Sequence, residues 1–240
     1  MWEQIQKIIQ MIEPLLIVVI PTCFGIYLKV KNKVHEKSIK IEKEFEVKNR
    51  EKFIDWEHSE SMVIIDKIKA ICNYYRDIGH MDLVNYIQFE NGTMATSKLC
   101  NMFLSCLAED NRYGKIPKFI STLQRIPYSR LSTWTNNVIN SEKGIYRVNN
   151  REKDFDEDYS EFIIGSENAK SFISGAVKDQ NGVLIGICSF FFAEEDCCGT
   201  GCEDIERCIT TLQQFITSVE TIFLEYNIAR ENKKKELNIK

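Results

Sequence analysis

The chain has 240 residues, of which 44% are hydrophobic and 11% aromatic, enough to bury the core of one domain with a helical connector. Its formal net charge of −4 argues against nucleic acid as the main partner, because nucleic acids select basic surfaces. Nine cysteines would indicate a disulfide scaffold in a small secreted protein. This chain is larger and its domain is expected to face a reducing cytosol, so free thiols are expected.

An apolar segment at residues 14–28 predicts a single-pass membrane anchor within residues 1–30. Together with the apolar residues from position 8 onward, it reaches the roughly 20 residues that a helix needs to cross a bilayer. A buried N-terminal core helix is the main alternative, but its apolar side chains would lie on one face, whereas here they surround the helix. A signal peptide is disfavoured, because no small-residue cleavage site follows Leu28. The predicted membrane-facing side chains are Leu15, Leu16, Ile17, Val18, Val19, Ile20, Phe24, Ile26 and Leu28.

The basic residues around this segment predict its orientation. Lys29, Lys31 and Lys33 follow the segment, whereas Lys7 is the only basic side chain before it. Because cytoplasmic flanks carry the excess of Lys and Arg, we expect the N-terminus outside the cell and the rest of the chain in the cytoplasm.

The next segment, residues 31–60, predicts a solvent-exposed helical stalk. It mixes opposite charges at helical spacing, contains neither Gly nor Pro, and does not sustain an apolar heptad. From residue 61 to residue 78 the apolar positions align on one stripe, which predicts a helix that packs on a core and ends near Gly79.

The period then changes to that of β-strands. Residues 83–90 predict a strand followed by a turn at Asn91-Gly92, and residues 98–108 can supply its partner. The clearest hairpin joins residues 171–178 to residues 183–192 through Gln180-Asn181-Gly182. The other expected elements are a helix at 128–141 capped by Gly144, a strand at 145–148, a polar loop at 149–170, an amphipathic helix at 204–229 and a frayed basic tail at 231–240.

Two segments of this pattern resemble the GAF family: YIQFENG at residues 86–92, and AVKDQNGVLIGICSFFF at residues 176–192 before a long amphipathic helix. The resemblance covers residues 61–230, apart from residues 110–170, which depart from the family pattern. It implies an α+β fold of the GAF/PAS-like kind, with an antiparallel sheet flanked by helices. It also implies a homodimer formed by the first and last helices of the domain.

The resemblance further implies a small-molecule site between the sheet and the aromatic region after it. Such pockets are aromatic-lined with a few polar groups, although aromatic residues in a domain of this size also serve as ordinary core. The candidate ligand-binding residues are Tyr128, Trp134, Tyr146, Tyr159 and Phe162, with Phe155 beside them.

No motif for catalysis is present in the sequence, and no cofactor is predicted. The three histidines, His35, His58 and His80, have no nucleophile at motif spacing. Cys197, Cys198 and Cys202 are weak metal-ligand candidates, because their spacing lacks the usual C-x2-C pair. Structural thiols are favoured there.

These features favour a non-enzymatic, membrane-anchored cytoplasmic sensor or adaptor, whose GAF-like domain binds a small molecule or an unidentified protein. Since no output domain follows residue 230, a signal is expected to pass through the stalk, through self-association or to a separate partner. The alternative is a phage-type membrane effector, such as a holin, lysis or exclusion protein, in which the span oligomerises.

Overall fold

The computed structural model describes the backbone of residues 2–94, 100–112, 116, 120, 123–150, 169–194 and 202–239. Side chains are described for residues 29, 31–90, 103–112, 116, 120, 123–150, 169–194 and 205–239. The chain divides into two compact units, Met1–Trp56 with Lys233–Lys240, and Glu57–Asn232.

Three helices and six strands make up the described backbone. The helices are α1 (Trp2–Gly79), α2 (Ser132–Asn140) and α3 (Cys202–Glu236). The strands are β1 (Leu83–Met94), β2 (Cys100–Asn111), β3 (Ile126–Pro127), β4 (Ile145–Val148), β5 (Ser171–Lys178) and β6 (Leu184–Phe192). Short 3-10 turns at Tyr128–Arg130 and Glu142–Gly144 flank α2.

In the first unit, the side chains of residues 31–48 are exposed along α1. The next residue along α1, Asn49, is buried, and its Nδ2 donates to the carbonyl of Leu237 at 2.9 Å. The helix α3 reaches Glu236, so the prediction of a frayed tail is wrong for residues 233–236. A salt bridge between Lys233 and Glu236 at 2.9 Å lies in this last turn.

The predicted anchor at residues 14–28 has a helical backbone as part of α1, and its side chains lie outside the described residues. Among the residues that the structure describes, no helix combines the length and the apolar character needed to cross a bilayer. The anchor and the membrane-facing residues Leu15 to Leu28 therefore stay a prediction.

In the second unit, the six strands form one antiparallel sheet in the order β3-β2-β1-β6-β5-β4. The β5–β6 hairpin forms at the predicted turn, because the Asp179 carboxylate accepts the backbone N–H of Asn181 and of Val183. Gly182 closes the turn at φ +77°, a conformation that glycine adopts without strain.

The first hairpin differs from its prediction. The strand β1 continues through Asn91-Gly92 to Met94, which pairs with Cys100, so the turn is not at Asn91-Gly92. Ladder pairing with β2 outweighs the local turn preference there, as tertiary context commonly does for β-structure. The predicted helix at 128–141 is also shorter, because a 3-10 turn occupies Tyr128–Arg130 before α2 begins at Ser132.

One face of the sheet, the α1/α3 face, is covered by α1 and α3. The apolar stripe on α1 is buried at Ile64, Ile68, Cys72 and Tyr75, as its spacing predicts. Close approach of α3 requires a residue without a side chain on β5, since a Cβ at Gly175 would lie 2.4 Å from Cδ1 of Ile216. The α3 side chains buried on this face are Cys208, Leu212, Phe215, Val219 and Ile222.

The opposite face, the α2 face, is covered by Leu131 and by Trp134 and Val138 of α2. The sheet side chains beneath them are Leu83, Ile87, Leu104, Phe172, Ile187 and Phe191. Because both faces of the sheet are covered, Phe190 and Phe191 are both core residues, on the α1/α3 face and the α2 face respectively. Phe192, at the end of β6, is only partly buried.

We expect Phe190→Asp and Phe191→Asp to unfold the domain equally. Each substitution removes a fully buried ring and buries an unpaired charge, which together cost at least about 4 kcal/mol. Thermal unfolding followed by circular dichroism measures the loss. Val183→Asp, at an exposed position next to the same hairpin, is the control and should unfold near the wild-type temperature. A Phe191→Asp protein with wild-type stability would mean that the α2 face is open to water.

Candidate functional site

A row of polar side chains crosses the sheet on the α2 face. Asn85 of β1 lies directly opposite Glu109 of β2 and opposite Ser189 of β6. Ser189 in turn lies opposite Ser174 of β5, and Ser174 opposite Tyr146 of β4. Because residues paired directly across antiparallel strands share a face, these five side chains follow one line. We call Glu109, Asn85, Ser189, Ser174 and Tyr146 the polar row.

The row is placed on the α2 face by strand alternation. Asn85 stands between Leu83 and Ile87, and Ser189 between Ile187 and Phe191, all four of which belong to the core cluster on this face. Asn85, Ser174 and Ser189 have no exposed surface, and Glu109 is 7% exposed. Polar groups therefore occupy positions where the fold would otherwise bury apolar side chains.

Part of the polar row is paired within the protein. The hydroxyls of Ser174 and Ser189 are 2.8 Å apart. The Glu109 carboxylate accepts the backbone N–H of Ile120 through Oε2 at 3.0 Å.

Asn85 is different, because neither its Nδ2 nor its Oδ1 has a hydrogen-bond partner among the described residues. The indole Nε1 of Trp134, in the α2 cover of this face, is likewise buried without one. Leaving a buried donor or acceptor unsatisfied costs about 1–3 kcal/mol, and native proteins rarely do so. The arrangement offers hydrogen bonds to a molecule on this face.

The candidate ligand-binding residues from the sequence fall partly on this site. Trp134 is fully buried, and Tyr128 and Tyr146 are partly buried against the same cluster. The Tyr128 hydroxyl donates to Asn136 at 3.0 Å, and Tyr146 packs edge-on against Phe172, with the ring centres 6.1 Å apart. Tyr159, Phe162 and Phe155 lie outside the described residues.

Asn85, Ser174, Ser189 and Glu109 were missed from the sequence. The available signal was a polar residue at an inward-facing position of a strand, as Asn85 is between Leu83 and Ile87. Since each strand was interpreted as alternating core, the coincidence of four such positions across four strands was not apparent before the register was known.

The described cysteines are not poised for chemistry. Burial is the main cause that raises the pKa of the Cys72, Cys106 and Cys188 thiols above the ordinary value, which makes them unreactive at neutral pH. Cys208 is disulfide-bonded, so the expectation of free thiols is wrong for this residue, which lies at the start of α3 just after the cysteine-rich segment. The side chains of Cys197, Cys198 and Cys202 lie outside the described residues, and the residues that the structure describes contain no group of three His, Cys, Asp or Glu side chains that could hold a metal ion.

No protein-family profile matches the chain, and no curated protein matches it. Among solved structures, the blue-light-absorbing form of the PixJ GAF domain from Thermosynechococcus elongatus matches with a TM-score of 0.50 and 15% identity, over 71% of this chain and 94% of that one. The phycoerythrobilin-bound GAF domain from a cyanobacterial phytochrome matches at a TM-score of 0.48 and 12% identity, over 75% and 97%. The type II free methionine-R-sulfoxide reductase from Thermoplasma acidophilum matches at 0.46 and 14%, over 68% and 96%.

The two matches with TM-scores of 0.48 and 0.46 support no inference about this protein. The 15% identity to the PixJ domain indicates a shared fold alone. The antiparallel sheet with helices on its faces is therefore a GAF-like α+β fold, as the resemblance of the sequence implied.

The lack of hydrogen-bond partners for the Asn85 amide leads to a prediction about the stability of the protein. We expect Asn85→Leu to raise the stability of the ligand-free protein by about 1–2 kcal/mol, because it replaces two unsatisfied polar atoms by an apolar group of similar shape. Thermal unfolding should then shift upward by a few degrees. Asn73→Leu makes the same chemical change at an exposed position of α1 and should leave the unfolding temperature within a degree. A clear loss of stability in Asn85→Leu would show that the amide is satisfied within the fold.

Proposed function

We propose that this protein is a non-enzymatic, membrane-anchored sensor or adaptor whose GAF-like domain binds a small molecule against the polar row. The buried, unpartnered amide of Asn85 is the observation that carries the proposal. Proteins give up stability in this way mainly at functional sites.

A physical route connects the α2 face with the helices on the other side. Glu109 of the polar row and Asp110 are consecutive on β2, so their side chains point to opposite faces of the sheet. Asp110 Oδ2 lies 2.9 Å from Nη1 of Arg76 near the end of α1. A ligand that moves β2 would change this ion pair and thereby the end of α1, which gives the proposed sensor a connection from its ligand to its helices.

Native mass spectrometry of the full-length protein tests the binding function. The wild-type protein purified from cell extract should carry a stoichiometric small molecule, and Asn85→Leu should lose it while keeping its fold. Asn73→Leu is the matched control and should retain the molecule. If no molecule accompanies the wild-type protein after exposure to cell extract, and Asn85→Leu is not stabilised, the polar row is no binding site.

The anchor and its orientation are the second part of the proposal. Lys29, Lys31 and Lys33 favour a cytoplasmic domain, whereas the disulfide at Cys208 is typical of an oxidising compartment. Labelling of Cys188 cannot decide between them, because that thiol has no exposed surface.

An introduced thiol at an exposed turn reports the orientation directly. We expect Asn181→Cys to remain unlabelled by a membrane-impermeant maleimide on intact cells and to react once the membrane is opened. The wild-type protein gives the background from its native thiols. Labelling of the variant on intact cells would show that the domain lies outside the cell. Recovery of the protein in the fraction not bound to membranes would contradict the predicted anchor.

Self-association as a homodimer is the third part. Leu224 and Ile228 of α3 are 41% and 54% exposed, on a helix whose other described apolar side chains are buried or partly buried, and parallel anchors would raise the local concentration of the domains. We expect Leu224→Lys with Ile228→Lys to weaken dimerisation at least about tenfold in sedimentation equilibrium, by removing apolar contact area. Thr221→Lys, also exposed on α3, should leave it unchanged. A wild-type chain that sediments as a monomer contradicts the dimer.

A further inference from the structure

We propose that the basic side of α1 next to the predicted anchor binds the headgroups of anionic phospholipids. This surface consists of Lys29, Lys33, Lys37 and Lys40, which we call the lysine row. The inference rests on the proposed anchor at residues 14–28 and adds the chemistry of the lipid that surrounds α1. It follows from the spacing, the exposure and the pairing of the four lysines.

Helical spacing places the lysine row on one side of α1. Positions 29, 33 and 37 follow one another at intervals of four residues, position 40 comes three residues later, and the backbone is helical throughout. Residues three or four apart are neighbours on the surface of a helix, and like charges at this spacing destabilise it. A negatively charged surface beside the row would relieve this repulsion.

The lysine row is exposed, and little of its charge is neutralised within the protein. All four side chains are exposed. Three of them form no ion pair with any described residue. The fourth, Lys40, lies 3.9 Å from Glu44, and both of these side chains are mostly in water, where such a pair is weak. Glu36 lies near the row in the helix, but no ion pair joins it to a lysine in the part of the chain that the structure describes.

The positive charge is concentrated next to the predicted anchor. Residues 29–43 contain six lysines and two glutamates, whereas residues 44–56 contain three basic and four acidic side chains. Clusters of four to eight basic residues directly after a membrane span are typical of segments that bind anionic lipids, because the cytoplasmic leaflet carries a negative surface potential. The charge of such a leaflet is complementary to the lysine row.

Distances along the helix place most of the lysine row within range of the headgroups. For an upright α1, Lys33 lies about 8 Å and Lys37 about 14 Å beyond Leu28, the last residue of the predicted anchor, and any tilt shortens these distances. The headgroup layer is about 6 Å thick on each side of the bilayer, and its field extends about 8 Å further at physiological salt. Lys29, Lys33 and Lys37 therefore lie within this range, and Lys40 lies at its edge.

The test uses full-length protein in nanodiscs that contain equal amounts of phosphatidylglycerol, which is anionic, and phosphatidylcholine, which has no net charge. Native mass spectrometry counts the lipids of each kind that stay bound to the released protein. The row variant combines Lys29→Gln, Lys33→Gln and Lys37→Gln, which remove three charges with little change in helix propensity.

A control variant removes the same charge from the same helix outside the range of the headgroups. It combines Lys43→Gln, Lys48→Gln and Lys52→Gln, at exposed positions that lie at least about 22 Å beyond Leu28. Circular dichroism should show the wild-type helix content in both variants.

We expect the wild-type protein to retain phosphatidylglycerol over phosphatidylcholine by at least about fivefold, and the row variant to retain the two lipids about equally. The control variant should keep the wild-type preference. Salt at about 1 M should abolish the preference of the wild-type protein, because it shortens the range of the headgroup field to about 3 Å.

The other outcomes separate the lipid partner from the anchor. Equal retention of both lipids by the wild-type protein would overturn the lipid inference and leave the anchor, with the lysines serving orientation alone. Equal loss of the preference in the row and control variants would overturn it as well, since the row would then have no special role. Displacement of phosphatidylglycerol by a short RNA oligonucleotide would assign the row to nucleic acid instead. A protein that does not enter nanodiscs at all would contradict the anchor and the lipid inference together.

Discussion

Burial of both faces of one antiparallel sheet is the constraint on which the rest of this domain depends. The α1 and α3 helices cover one face and α2 with its flanking segments covers the other, so β1, β5 and β6 have no water-facing side along most of their length. Each apolar side chain buried there contributes about 1.5–3 kcal/mol. A polar side chain buried there without a hydrogen-bond partner lowers the free energy of unfolding. The polar row is therefore an exception among the side chains buried on the sheet.

The two faces differ in what they hold. The α1/α3 face combines apolar stripes with a hydrogen bond between Tyr75 and Ser218 at 3.1 Å and with stacking of Phe190 on Phe215. At the far end of the helix pair, Arg230 Nε lies 2.6 Å from the carboxylate of Glu57. This face therefore fixes α1 against α3, while the α2 face carries the unpartnered amide of Asn85 and the unpartnered indole N–H of Trp134. In the proposed function, the sheet separates the helix-packing face from the ligand-binding face.

In the proposed function, β2 links binding on the α2 face with output through α1. The carboxylates of Glu109 and Asp110 point to opposite faces of the sheet, and Asp110 forms an ion pair with Arg76. This link is short, because it consists of one strand and one ion pair. The two side chains of the ion pair are about one-fifth exposed, so their Coulomb attraction is stronger than it would be at an open surface.

The sequence by itself determined the elements whose signals are local. The stripe on α1, the β5–β6 turn at Asp179 to Gly182 and the amphipathic α3 follow from spacing and turn chemistry, and the resemblance to the GAF family supplied the α+β fold class. The tertiary structure decided that β1 runs past Asn91-Gly92, because its ladder with β2 outweighs the turn preference. The tertiary structure also determined which residues form the candidate site. Glu109, Asn85, Ser189 and Ser174 are separated by up to 104 residues in the chain, and they form one row only because strand register aligns them; register depends on pairing between distant segments, which no local pattern encodes.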